Sequence, residues 1–128
     1  MLTKLLTGVA LALLMITAVH AQSPGIKRTV LQKVDVPGGQ YEVVLGMAEI
    51  PAGASLGKHL HPGTEQGTVL EGEMTLSIDG QPDKTMKVGD SWQIPAGTPH
   101  DAKAGGAGAK VIAVYTVEKG KPLASPAK

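Results

Sequence analysis

The chain contains no cysteine and no phenylalanine, and only one tryptophan and two tyrosines among 128 residues. Without cysteine no disulfide can form, so a closed barrel, a metal or a subunit interface must supply the stability that small exported domains often draw from disulfides. The absence of cysteine also excludes a bacterial lipoprotein anchor. There is no run of Lys or Arg, and the formal net charge is only +1. A balance this close to zero gives no general field for nucleic acid or anionic lipid. Three aromatic residues provide no platform for stacking bases, so nucleic acid is not an expected partner. No ten-residue stretch after residue 21 carries a 3.6-residue hydrophobic period, so the sequence gives no sign of an amphipathic helix.

One apolar run is present, and it lies at the N-terminus. Lys4 precedes an apolar stretch from Leu5 to Val19, and small residues surround Val19-His20-Ala21. This is the pattern of a cleavable secretory signal peptide over residues 1–21. The run falls short of the ~20 residues that span a bilayer. No stable membrane anchor is therefore expected after cleavage, and the expected location is periplasmic or secreted. No Arg pair precedes the run, which argues against twin-arginine export. The remainder, 22–128, has the length of one small domain, able to bury somewhat under about 70% of its unfolded surface.

That domain reads as short strands. Val30–Val36 is a first candidate, closed by Pro37-Gly38-Gly39. Tyr41–Ile50 alternates apolar and polar residues, as a half-buried strand does. Shorter candidates follow at Leu56–His61, Glu65–Leu70, Met74–Ile78, Thr85–Val88 and Ser91–Ile94. Asp79-Gly80 marks a hairpin turn. His100–Ala104 leads to Gly105-Gly106-Ala107-Gly108, read as a flexible loop, and Lys110–Val117 is the last long strand. Many short strands separated by turn signals predict an all-β sandwich or barrel, without choosing between them.

The chain has four histidines, and His20 falls within the expected signal peptide. The other three sit in one spaced arrangement: His59 and His61 with Glu65 closely following, and His100 farther on. On a strand His59 and His61 point to one face, with Cα atoms roughly 6.5–7 Å apart. Their imidazoles can then converge on one ion at about 2.0–2.2 Å. Pro62-Gly63-Thr64 can turn the chain so that Glu65 enters from a neighbouring strand, and Pro95–Pro99 can do the same for His100. Three nitrogens and one carboxylate suit a divalent transition metal (Mn, Fe, Ni, Cu, Co or Zn) and leave coordination positions open for water, dioxygen or a substrate oxygen. Glu65 has a second reading, as a carboxylate that orients a histidine or acts as a base.

The two stretches resemble the motifs of the cupin superfamily. Gly53, His59, His61, Glu65 and Gly72 match the first, G-x5-H-x-H-x3,4-E-x6-G. Gly89, Pro95, Gly97 and His100 match the second, G-x5-P-x-G-x2-H-x3-N, with Ala104 in place of its Asn. The resemblance implies a double-stranded β-helix, or jelly-roll barrel, over 41–117; the residues themselves read as an arm and first strand at 22–40 before it and a flexible tail at 118–128 after it. It also implies a mononuclear site built by His59, His61, Glu65 and His100, and makes a homodimer plausible. Because Ala104 replaces a residue that is not a ligand in the family, a looser turn near Gly105–Gly108 is expected, not a lost site.

Other side chains carry weaker signals. Thr64 and Gln66 flank Glu65 and could hydrogen-bond it. Trp92 shares a face with Ile94 and reads either as core packing or as a pocket wall. Tyr41 and Tyr115 are the only phenols, and either could serve as a general acid if it faced the barrel. Glu42, Glu49 and Asp101 read as solvated. Val, Leu, Ile and Met are expected to line any pocket; Met47, Met74 and Met86 read as ordinary core filling, with softening of a copper site as the alternative. No motif selects a reaction. A metal-dependent enzyme of oxygenase, isomerase or lyase/decarboxylase type on a small oxygenated molecule, a non-catalytic binder of a metal or small ligand, and a purely structural metal clip all remain open.

Overall fold

The computed structural model describes residues 24–128. The expected signal peptide, 1–21, and the first two residues of the expected arm lie outside the described residues. Eight strands and no helix make up the described part: β1 (Lys27–Asp35), β2 (Tyr41–Ile50), β3 (His59–Leu60), β4 (Gly63–Ile78), β5 (Lys84–Lys87), β6 (Ser91–Ile94), β7 (His100–Glu118) and β8 (Ser125–Pro126). All the pairings are antiparallel. The bounds of β2 and β6 coincide with those read from the sequence.

The centre of the sheet is β7. Its C-terminal part pairs along one edge with β2, from Ala109 opposite Ile50 to Glu118 opposite Tyr41. The same residues pair along the other edge with β4, from Ala109 opposite Gly72 to Val117 opposite Gly63. The far edge of β4 pairs with β6 and then β5. β1 extends the sheet beyond β2 as an edge strand. The sheet therefore curls around one interior.

Two expectations of separate strands give way to long continuous ones. Glu65–Leu70 and Met74–Ile78 are parts of β4, and the break near Gly72 is a pair of register shifts, at Val69/Glu71 and Gly72/Met74. Gly105–Gly108 is likewise not a free loop. It runs within β7, where the ladder with β4 jumps from Ala109 to Ala104, and the carbonyl of Gly105 accepts a hydrogen bond from the Gly53 N–H at 3.2 Å. Glycine permits such bulges without ending the strand, because an unpaired residue in a bulge needs backbone freedom more than a side chain.

The expected flexible tail also differs. Ser125 and Pro126 pair with Leu60 and His59, and the Ala127 N–H donates to the Lys58 carbonyl at 3.0 Å. Backbone pairing has no side-chain periodicity to announce it in so short a segment.

The core follows the two-residue period of the strands. Met74 and Leu76 on β4 meet Ala102, Ala104, Ala109 and Val111 on β7, with Ile50, Val69, Met86 and Ile94 completing the cluster. Met86 is wholly buried, and burial of such a side chain contributes about 1.5–3 kcal/mol. Several of these positions are alanine, and no phenylalanine fills the interior. Part of the interior is consequently a cavity of about 580 Å3.

Candidate metal centre

The sheet register brings the site together. His59 on β3 lies directly opposite His100 on β7. Glu65 on β4 lies between Ile94 of β6 and Tyr115 of β7. His61 follows β3, and its carbonyl accepts the N–H of Gly97, which ties the two motif turns to each other. All four residues expected as ligands meet here, with one candidate ligand atom from each within 4.8 Å of the others. His61, Glu65 and His100 are 5%, 6% and 3% exposed, which is rare for such groups unless they are paired or hold a metal.

The outer nitrogen of each ring is anchored to backbone. Nδ1 of His59 lies 2.6 Å from the Gly57 carbonyl, Nδ1 of His100 lies 2.9 Å from that of Thr98, and Nδ1 of His61 lies 2.7 Å from that of Leu123. A carbonyl only accepts, so each Nδ1 carries the proton. In a neutral ring this leaves the Nε2 lone pair to face inward, the tautomer that metal-binding histidines adopt. Nε2 of His61 and Nε2 of His100 approach the same oxygen, Glu65 Oε2, at 2.9 and 3.0 Å. The His100 contact has hydrogen-bond geometry, whereas the buried His61 Nε2 has no hydrogen-bond partner. A buried lone pair without a donor, beside a carboxylate and two further imidazoles, is the donor arrangement that a divalent cation satisfies. The three rings stand 4.3–5.1 Å apart, centroid to centroid, in tilted and edge contacts.

The electrostatics follow from these contacts. Burial pulls His59 down from its ordinary 6.5 to about 4, outweighing its bond to Gly57. Burial also acts to lower His100, but the Glu65 carboxylate and the Thr98 carbonyl outweigh it and raise the ring. Burial would raise Glu65; the hydrogen bonds from His100 and Trp92 instead hold it well below the usual carboxylate range. Glu65 is therefore an anion at neutral pH, as a metal ligand must be.

Trp92 has a role that its sequence position did not disclose. Its Nε1–H donates to Glu65 Oε1 at 3.0 Å, while its ring packs on the core cluster and lines the cavity. Thr64 and Gln66, weaker candidates for a bond to Glu65, are exposed because neighbours along a strand point to the opposite face. The available signal was the cross-strand register: Gly67 lies opposite Trp92, and a Cβ at 67 would overlap the indole. Tyr115 also faces the site, its ring 4.7 Å from that of His61. Burial and the charge of Glu65 raise its phenol, so it keeps its proton. Tyr115 shares parity with buried Val111, Ala113 and Val117, and that signal was present in the sequence. Tyr41 lies at the exposed start of β2. Asp101, expected to be solvated, accepts the Ser55 hydroxyl at 2.7 Å.

The cavity opens onto the four residues. Its walls include Val44, Met47, Met74 and Leu76, side chains of the expected types, together with the rings of Trp92 and Tyr115. Arg28 and Lys58 belong to its lining, the Lys58 ammonium being paired with Asp79 at 2.9 Å, and Leu123–Pro126 form another part of it. The volume falls within the roughly 300–1,000 Å3 of small-molecule sites.

The comparisons agree with this architecture. The DMSP lyase DddQ from Ruegeria pomeroyi superposes with a TM-score of 0.66 at 19% identity, over 79% of this chain and 51% of that one. A cupin superfamily protein from Desulfitobacterium hafniense gives 0.62 at 19% identity, over 77% and 84%. Identities this low speak for the fold alone. Among curated proteins, the HTH-type transcriptional regulator PuuR of Escherichia coli (strain K12) is 41% identical over 66 residues, which is 50% of this chain. The match spans only 35% of the regulator's own length. Residues 46–115 match the model of the cupin domain, and with both histidine stretches inside that span, the chain belongs to the cupin family.

Proposed function

We propose that this chain is an exported metal-dependent enzyme, and that His59, His61, Glu65 and His100 together hold one divalent transition metal. The observation that carries the reading is the convergence of three imidazoles and one carboxylate on the wall of a cavity of about 580 Å3. A metal that merely clipped a barrel together would need no such space. When bound, the metal supplies Lewis-acid polarisation of an oxygen-bearing substrate, or activation of dioxygen, at its open positions. The apolar walls exclude water, while the guanidinium of Arg28, a lining residue, suits a small oxygenated molecule that carries a carboxylate. The protonated Tyr115 phenol is placed to donate a hydrogen bond to a ligand oxygen beside His61. The reaction types that fit are oxygenase, isomerase and lyase or decarboxylase chemistry. Export to the periplasm or outside the cell rests on the signal-like pattern of residues 1–21.

A second reading is a non-catalytic cupin that binds a small ligand, and one observation favours it. The curated relative matched at 41% identity is a transcriptional regulator. The test is elemental analysis of protein isolated from its native compartment, then oxygen-uptake and product screens over small organic acids, with His61→Ala as control. Turnover that disappears in His61→Ala supports the enzyme. Full metal loading, no turnover and ligand-dependent thermal stabilisation would overturn it in favour of the binder.

A further inference from the structure

We infer that the C-terminal segment, residues 119–128, is a strap that completes the metal centre, with the Leu123 carbonyl as the positioning group for His61. The inference rests on the proposed metal site and adds a part to it that lies outside the span matched to the cupin domain, 46–115.

The three histidines are oriented in the same way but by different means. His59 and His100 each find their acceptor two residues back along the chain, at Gly57 and Thr98. His61 finds its acceptor 62 residues away, at Leu123. Two of the rings are thus set by their own turns, and one depends on a distant segment being in place. At its start the segment is tied by ion pairs, Lys119 to Asp35 and Lys121 to Glu118, each at 2.8 Å; beyond them it is held by backbone pairing. Gly120, at φ +79°, allows the chain to turn after β7. Ser125 and Pro126 then pair with β3, the strand that carries His59, and the Ala127 N–H bonds the Lys58 carbonyl. The same residues, Leu123 to Pro126, line the cavity. The strap therefore acts on His61 and on the space in front of the metal together.

Its chemical effect concerns a single proton. With Leu123 accepting from Nδ1, His61 presents a bare Nε2. Without that acceptor, the proton can move to Nε2 and bond to Glu65 Oε2, 2.9 Å away. That tautomer blocks a ligand atom. Loss of an outer hydrogen-bond partner of this kind typically lowers metal affinity about 10–100-fold.

The test compares the full chain with a truncation after Lys119, and with Ala127→Pro, which removes one anchoring N–H and leaves the strap in place. Histidine tautomers are read by two-bond 1H–15N NMR on metal-free protein, and Zn2+ affinity by competition with a chromophoric chelator. Truncation is expected to convert His61 alone to the Nε2–H form, to leave His59 and His100 unchanged, and to weaken Zn2+ binding about 10–100-fold. Ala127→Pro should show a smaller loss in the same direction, and a synthetic 119–128 peptide should restore part of it. The inference is overturned if His61 keeps its tautomer and Zn2+ affinity stays within about twofold, or if all three histidines change together, which would mark the segment as general support. Failure of the full chain to bind Zn2+ would instead sink the proposed metal site, and the tautomer measurement would still decide the role of the strap.

Discussion

Trp92 Nε1–H donates to Glu65 Oε1 at 3.0 Å, so the only indole in the chain touches the only carboxylate in the candidate metal centre. The contact leaves Oε2 to face the histidines and fixes the carboxylate plane. It also places a fluorophore beside the proposed ion. Gly67, directly across from Trp92, leaves room for the ring.

Removing the indole donor should weaken metal binding without unfolding the barrel. Trp92→Phe keeps most of the packing and loses the N–H, so Zn2+ affinity should fall about 10–100-fold. Gly67→Ala reaches the same bond from the opposite side, because its Cβ would overlap the indole and push it away from Glu65. Its fluorescence emission should shift to the red, and its Zn2+ affinity should fall with Trp92→Phe. Wild-type affinity in both variants would show that the contact is packing only.

The stability of the metal-free protein should peak near neutrality. His100 is raised in the folded state, so its contribution is fully present below its unfolded value and is lost as pH rises through the folded one. His59 is lowered from 6.5 to about 4. Its burial therefore costs stability as pH falls through that interval, since the unfolded chain takes up the proton first. Glu65 is also lowered, and its contribution is lost only at more acid pH. Urea midpoints measured from pH 4 to 9 in the presence of a chelator should rise and then fall, with the maximum near 6.5. A midpoint rising steadily down to pH 4 would contradict the burial of a neutral His59.

The same proton competition sets metal binding. The raised ring of His100 takes up a proton before His59 does, so Zn2+ affinity should begin to fall below the titration of His100 and fall more steeply toward pH 4. Each ligand that must lose a proton adds about a tenfold loss per pH unit. Affinity independent of pH between 4 and 7 would exclude the histidine cage.

The four residues of the site were legible because their spacing carries geometry: His59 and His61 share a face by strand parity, and turns at Pro62-Gly63 and Pro95–Pro99 return Glu65 and His100 to it. The strand β2 was legible to the residue for the same reason of parity, and β6 from the turns at Gly89-Asp90 and Pro95–Gly97 that bound it. The extents of β4 and β7 were not, since glycine marks a strand end and a bulge with the same letter. Gly72 and Gly105–Gly108 are bulges, and only the facing strand distinguishes the two cases. The Trp92–Glu65 hydrogen bond and the Leu123 carbonyl were missed on other grounds. One depends on a cross-strand partner, Gly67, and the other is a backbone atom in a segment with no periodicity.

The bulge at Gly72 makes a prediction about the barrel, separate from the chemistry. Gly72 has φ +70°, and a Cβ there would overlap the carbonyl of Gly108 on β7. Gly80 has φ +82° in the open hairpin turn, with no atom near enough to meet a Cβ. Gly80→Ala should therefore cost only the backbone term, about 1–2 kcal/mol. Gly72→Ala should cost that term and a further overpacking penalty of about 1–3 kcal/mol, because β4 and β7 must separate where their ladder changes register. Urea unfolding of the two variants separates the contributions, the difference in free energy being the close approach alone. Equal destabilisation would mean that β4 and β7 part at the bulge without cost, and that the register shift there is soft.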